Sequence, residues 1–430
     1  MNQESPQGKL SVSTGNEYLR CIACQSNYGL TEVLYQCPCG GLLEVHHYFP
    51  DGAKIPLTRE ILEHRRLSFE LRDQSGVWRF REAVVQLPQE DLVIHPEGNT
   101  RLYRRDELAA WADIAHLGFK HEGENPTGSF KDRGMTVAVS MARHLKKKFV
   151  ACASTGNTSA ALAAYASQAH MKGVVFVPHG KISGGKLAQA VGYNALILPI
   201  DGDFDAAMEL VQKAASELEL YMVNSLNPFR IEGQKTIIWE LLEQLRWQAP
   251  DWIFVPAGNL GNTSAFGKAL EEALQWGWID QMPKIASIQA EGANPFYKSY
   301  LGGFKELIPV TAETIASAIR IGHPVNWTKA KRVIEKTQGV VAQVSDAEII
   351  EAKRVLDASG LGCEPASAAS LAGLKKLRLA GLVQKEESAV CVLTGHILKD
   401  TETIMKHCVP NTLLSPLKPT LDAVAHALGL

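Results

Sequence analysis

No apolar run in this 430-residue sequence is long enough to cross a bilayer, and no internal repeat or low-complexity tract interrupts it. The first twenty residues lack the apolar centre of a secretion signal. They also lack the Arg-rich, acid-free character of a transit peptide, since Glu4 is among them. Charge excess is missing too: 44 Lys and Arg against 46 Asp and Glu leave a formal net charge of −2. That balance gives no support to a nucleic-acid or membrane-surface partner. The one basic run, Lys146-Lys147-Lys148, precedes an apolar strand and reads as a solvated helix end. The eight cysteines do not form a secreted disulfide scaffold: four fall between positions 21 and 39, while Cys152, Cys363, Cys391 and Cys408 stand apart. A reduced, cytoplasmic setting is expected.

The hydrophobic share of 46% and the charged share of 21% are those of a globular enzyme, and the length calls for two or three domains. Residues 1–20 read as a loose tail, 21–50 as a cysteine-bearing segment, and 51–90 as a charged extension with some helix. From about residue 115 short apolar runs alternate with helical patterns. The runs are Phe149 to Ala153, Val174 to Val177, Ala195 to Ile200, Ile253 to Val255, Ile285 to Ile288 and Ala389 to Leu393. Helical spacing covers 158–168, 205–218, 232–247, 263–276 and 346–358. This alternation predicts an α/β protein with parallel sheets covered on both faces, and ligands then bind where strands end and glycine turns lead into helices.

Five segments at such turns carry candidate chemistry. In His121-Glu-Gly-Glu-Asn-Pro-Thr-Gly-Ser-Phe-Lys-Asp-Arg-Gly134, Lys131 enters a helix from a sharp bend, where burial and the helix terminus favour a neutral, nucleophilic amine; the plain alternative is a surface lysine. Ser154-Thr-Gly-Asn-Thr-Ser159 opens an Ala-rich helix and suits an anion or carboxylate, though alone it reads as an ordinary N-cap. Gly258-Asn-Leu-Gly-Asn-Thr-Ser264 is a glycine loop between strand and helix whose amides can cradle a phosphate. Leu393-Thr-Gly-His-Ile-Leu-Lys-Asp400 presents a hydroxyl at a strand end. Val223 to Lys235 sets Asn224, Ser225 and Arg230 where a guanidinium can grip phosphate, or else cap a helix or pair with Glu232.

Separately, Cys21-x-x-Cys24 and Cys37-Pro-Cys39-Gly-Gly look like two knuckles of a zinc ribbon, the second one residue short of the usual spacing. A metal-free remnant is the alternative. His46 and His47 offer substitute ligands, but neighbours on a strand face opposite ways.

Taken in order, these strings resemble the threonine synthases of the pyridoxal-phosphate fold type II family, which is tryptophan synthase β-like. The likeness runs over roughly residues 90 to 400 and includes Lys186-Leu-Ala-Gln189, Ala318-Ile-Arg-Ile-Gly322 and Glu364-Pro-Ala-Ser-Ala-Ala-Ser370. The resemblance implies two doubly wound α/β domains with pyridoxal 5'-phosphate in the cleft, plus the ribbon-like extension. Residues 51–139 and 231–410 would form the large domain, 140–230 a small mobile domain, and 411–430 a C-terminal tail or helix. It implies that Lys131 is the Schiff-base lysine and main acid and base, and that Phe130 packs on the cofactor ring. Asn157 would meet the phenolic oxygen, the amides of Gly258, Asn259, Leu260, Gly261 and Asn262 the phosphate, and Thr394 the pyridine nitrogen. Ser154, Thr155 and Thr158 would face the substrate carboxylate or phosphate, with Asn224 and Arg230 on the phosphate of O-phosphohomoserine. A homodimer is implied as well. A hydroxyl rather than a carboxylate at the ring nitrogen suits elimination and replacement at Cβ and Cγ more than transamination.

Glu124 stands where an apolar residue is usual, Ile397 where a glycine is, and Leu260 where alanine is frequent. All three departures bear on the substrate rather than the cofactor. The rival readings are a cysteate synthase, a threonine or serine dehydratase, and a non-catalytic relative. A dehydratase needs no second anion site, and a non-catalytic relative would have lost Lys131, the glycine loop or Thr394.

Overall fold

The computed structural model describes residues 17–49, 55–179, 184–202, 204–407 and 416–430. Most of the expected N-terminal tail, residues 411–415 of the C-terminal one, and Cys408 lie outside them. Among the described residues, thirteen strands form three sheets. Strands β1 (Glu17–Cys21), β2 (Asn27–Tyr28) and β3 (Leu43–His47) make a small antiparallel sheet in the order β2-β1-β3. Next along the chain come β4 (Leu102–Tyr103) and β5 (His116–His121), then β6 (Phe149–Ala153), β7 (Lys172–Pro178), β8 (Leu196–Ile200) and β9 (Tyr221–Met222). The last four are β10 (Trp252–Pro256), β11 (Lys284–Ala290), β12 (Val340–Val344) and β13 (Ser388–Leu393). Strands β6 to β9 form a four-stranded parallel sheet, order β8-β7-β6-β9. The others form a six-stranded sheet, order β12-β11-β10-β13-β5-β4, parallel except at its β4 edge.

The apolar runs are continuous rather than alternating because both sheet faces are covered. On β10, Ile253 and Val255 join one core while Trp252 and Phe254 join the other; on β13, Val390 and Val392 oppose Ala389, Cys391 and Leu393. The four-stranded sheet divides likewise, with Val150, Cys152, Val175 and Val177 on one side and Ala151, Ala153, Val174 and Phe176 on the other.

Two helices run across the limits expected from sequence at 139/140 and 230/231: Lys131–His144 and Pro228–Gln244. They touch at glycines, since a Cβ on Gly233 would sit 1.8 Å from the carbonyl oxygen of Arg133. The second helix begins four residues before its apolar spacing does. Asn227 caps it by accepting from the Phe229 N–H (3.0 Å), and Pro228 occupies its first position. Among the described residues no helix is long and apolar enough to cross a membrane.

Candidate active site

The loop from β10 into the helix Gly261–Gln275 has a shape fixed by three features. Leu260 holds the left-handed conformation (φ 63°), its side chain buried in the core. A Cβ on Gly258 would lie 3.0 Å from the Cα of Ile319, so that turn presses directly on the segment 318–322. Asn259 is tied by the Val325 N–H to its Oδ1 (3.2 Å) and by Asn326 to its carbonyl. None of the backbone N–H groups of Gly258, Asn259, Leu260, Gly261 and Asn262 has a protein acceptor among the described residues. Five donors left open at one helix N-terminus are what a phosphate requires.

Lys131 is the first residue of its helix. The bend before it is braced by Asp132, which accepts from the Thr127 N–H (2.6 Å), and by Gly128 in the left-handed region (φ 81°). The bend runs antiparallel to the end of β13: the Phe130 N–H donates to the Thr394 carbonyl (3.0 Å) and the His396 N–H to the Gly128 carbonyl (2.9 Å). Lys131 is thereby held beside Thr394. Its Nζ lies 4.3 Å from the centre of the Phe130 ring. Burial and the nearby Arg230 guanidinium bring the amine down to about 7, against a smaller opposing pull from Glu364.

Arg230 is fully buried. It donates to the Val223 carbonyl (2.8 Å) and to Gln234 Oε1 (3.2 Å), while its Nε is unpartnered. Among the described residues no carboxylate pairs with it, and burial lowers it to about 10. Gln234 continues to the phosphate loop, donating to Asn262 Oδ1 (2.7 Å). Lys131, Arg230 and the 258–262 loop are therefore neighbours, linked through the helix Pro228–Gln244.

From the four-stranded side, Ser154, Thr155, Asn157 and Thr158 follow β6, half-buried. Ser154 Oγ accepts from the Gly156 N–H (3.2 Å), and the Thr155 and Thr158 hydroxyls have no protein partner among the described residues. Both polar atoms of the Asn224 side chain are engaged by the backbone of Ala153, at 3.1 and 3.0 Å. Asn157 Nδ2 reaches across to Glu364 Oε2 (2.9 Å), and Thr394 Oγ1 donates to Glu364 Oε1 (3.3 Å) and shares a hydrogen bond with Ser367 (3.0 Å). Sequence reasoning gave Glu364, Ser367 and Gln234 no role. A Glu directly before a Pro at a helix start reads as an ordinary complement to the helix dipole, which hides Glu364.

The chain matches the family described as "Pyridoxal-phosphate dependent enzyme" over residues 93–395. It is 45% identical over 389 residues to a threonine synthase of Methanocaldococcus jannaschii, covering 90% of this chain and 94% of that one. It is 43% identical over 414 residues to a threonine synthase of Methanosarcina acetivorans, covering 96% and 98%. The chain belongs to the threonine synthase family of pyridoxal-phosphate-dependent enzymes. The crystal structure of threonine synthase from Escherichia coli shares its fold, with a TM-score of 0.69 at 22% identity over 93% of this chain and 92% of that one. The site fits the family's cofactor on its own terms: open amides for a phosphate and a buried lysine amine brought down to about 7. Two departures from the family's motifs make contacts of their own. Glu124 is exposed and accepts from the Arg101 N–H (2.7 Å) at the β4 edge, and Ile397 packs on Gly362.

The four cysteines form a separate group on the N-terminal sheet. The Sγ atoms of Cys21, Cys24, Cys37 and Cys39 all lie within 4.8 Å of one another, with 3.5 Å between Cys21 and Cys39 and between Cys24 and Cys37. Gly40, in the left-handed region (φ 83°), and Gly41, whose Cβ would meet the Cys21 sulfur at 2.4 Å, let the shortened second knuckle close. His47 takes no part, being held between Glu17 (3.1 Å) and Glu232 (3.6 Å).

Proposed function

We propose that this chain converts O-phospho-L-homoserine and water to L-threonine and phosphate, by γ-elimination followed by addition of water at Cβ, with Lys131 moving the protons. The observation that carries the reading is one cleft containing a lysine amine near neutrality, a buried guanidinium with no carboxylate partner, and five open amides. When bound, pyridoxal phosphate supplies an electron sink that stabilises negative charge developing at the substrate's Cα and Cβ. The amides of Gly258, Asn259, Leu260, Gly261 and Asn262 would hold its phosphate, Phe130 its ring face, Asn157 its phenolic oxygen and Thr394 its ring nitrogen.

Lys131 carries the cofactor between turnovers. With substrate in place, its amine would take the Cα proton and later return it, as a base within direct reach of that atom can. Arg230 binds the leaving phosphate as a cation already stripped of water, and Ser154, Thr155 and Thr158 orient the substrate's anionic ends. Asn224 contributes at one remove: with its amide spent on Ala153, it holds the end of β6 in register beside Arg230. The unit of about residues 140–230 would close over substrate and exclude water until the addition step. The enzyme would work as a cytoplasmic homodimer, a setting that suits cysteines held as free thiols.

The cysteine group suits zinc. Zn–S bonds of about 2.3 Å imply S–S edges of about 3.8 Å, close to the observed separations. We infer a structural ion here, to be checked by metal analysis of the purified protein, with about one zinc per chain expected.

The functional reading is tested by supplying O-phosphohomoserine and measuring phosphate and threonine together. Equal release of both is expected. Turnover of phosphoserine with sulfite in its place would make the enzyme a cysteate synthase instead.

A further inference from the structure

Glu364 stands at the N-cap position of the helix Pro365–Leu379, yet its carboxyl bonds no N–H of that helix. It turns into the cleft. Its own N–H donates to the Gly395 carbonyl (3.0 Å), and the carboxyl lies flat on Gly395, where a Cβ would come within 2.5 Å of it. The side chain is buried, and among the described residues no lysine or arginine pairs with it. Its partners are two neutral donors: Asn157 Nδ2 at 2.9 Å, from the helix that follows β6, and Thr394 Oγ1 at 3.3 Å, from the end of β13. These are the two side chains that the cofactor reading assigns to the phenolic oxygen and the nitrogen of one ring, and they come from different sheets.

We propose that Glu364 is a positioning residue for the cofactor: its carboxyl spans the cleft, holds Asn157 and Thr394 in one plane, and so sets the polarity around the bound ring. Asn157 and Thr394 each have other orientations open to them; a shared acceptor removes that freedom before the ring arrives. The position tolerates little change. Shortening the side chain frees Asn157 and leaves Thr394 to Ser367 alone, and bulk at Gly395 displaces the carboxyl. Burial pushes the Glu364 carboxyl up from its usual range, outweighing the hydrogen bonds from Asn157 and Thr394 and the pull of Lys399 and Lys131, neither of which pairs with it directly.

This inference rests on the cofactor reading, and the two fail differently. A wild-type protein that is colourless with pyridoxal phosphate ends that reading. A wild type that binds normally leaves Glu364 to be judged by its variants. For Glu364→Ala the expected results are about a tenfold weaker hold on pyridoxal phosphate and a displaced visible band, the loss of two hydrogen bonds in a buried site. The kcat for threonine formation should fall more than KM for O-phosphohomoserine rises. Glu364→Gln keeps the shape but accepts from only one of the two donors. It should bind with intermediate affinity, and its band should move the same way. Thermal melting separates these effects from unfolding, and if Glu364→Ala does not fold, the nearly isosteric Gln variant carries the test alone. Wild-type affinity and an unmoved band in the folded variant would overturn the proposal.

Discussion

Lys131 owes its reactivity to the company of its amine. A lysine in water is protonated near neutrality and is a poor nucleophile; here burial and Arg230 bring it to about 7. Because the lowered value favours the neutral form, the amine is free above that pH and charged below it. Capture of pyridoxal phosphate by cofactor-stripped protein, followed by visible absorbance, should therefore quicken about tenfold per pH unit up to about 7 and level off above. Arg230→Met removes the neighbouring cation and should move the break upward. A break at the same pH in both proteins would mean that Arg230 does not act on Lys131. On the proposed reading, in which Arg230 grips the substrate's phosphate, the same variant should also weaken binding of O-phosphohomoserine.

At the scale of elements, the contact between the helices Lys131–His144 and Pro228–Gln244 governs the site, because one begins with Lys131 and the other carries Arg230 and Gln234. The contact is backbone to backbone at Gly233, whose Cβ would meet the Arg133 carbonyl oxygen at 1.8 Å. Gly233→Ala must drive the helices apart. It should cost about 1–3 kcal/mol of stability, read as a lower melting temperature, and loosen cofactor binding as well. Unchanged melting would show that the helices can shift freely. The strand-to-helix turns after β6, β10 and β13 were legible in the sequence, because apolar runs buried on both faces stop abruptly at Gly, Ser or Thr. Strand β5 was not: His-Leu-Gly-Phe-Lys-His looks half polar. Lys120 can be buried there because Glu240, 120 residues away in sequence, meets it at 2.6 Å, with the Thr100 carbonyl (2.6 Å) and Gln244 (3.0 Å) as further acceptors. Glu240 also pairs with Arg133 at 2.8 Å. Glu364 escaped for the same reason: its local context is a helix start, and its partners lie on two other elements.

Across the whole molecule, the N-terminal sheet is docked to the catalytic body by apolar residues that join the main core, Leu19, Leu43 and Val45 among them, and by charge. Lys268 donates to the Val45 carbonyl (2.6 Å) and Lys329 to the Leu43 carbonyl (2.7 Å). Arg332 pairs with Glu44 (2.7 Å), and Glu232 meets Lys235, Lys268 and His47. Ammonium groups fill the space among His47, Glu232 and Glu272, which accounts for that cluster without a metal. Removing one member leaves a buried carboxylate under-compensated, so Lys268→Met should lower stability by about 3 kcal/mol or more. Since Glu232 lies two residues beyond Arg230, affinity for O-phosphohomoserine should drop with it. A loss of stability with no change in affinity would separate the docked sheet from the site.

The central claim, that one amine at position 131 shares a cleft with the phosphate loop at 258–262, is tested most directly by reducing the protein with borohydride in the presence of pyridoxal phosphate and mapping the peptides by mass. The pyridoxyl group should be found on Lys131 alone, with capture lost in Lys131→Ala and weakened in Gly258→Ala. Labelling spread over surface lysines, or unaffected by either substitution, would contradict the account.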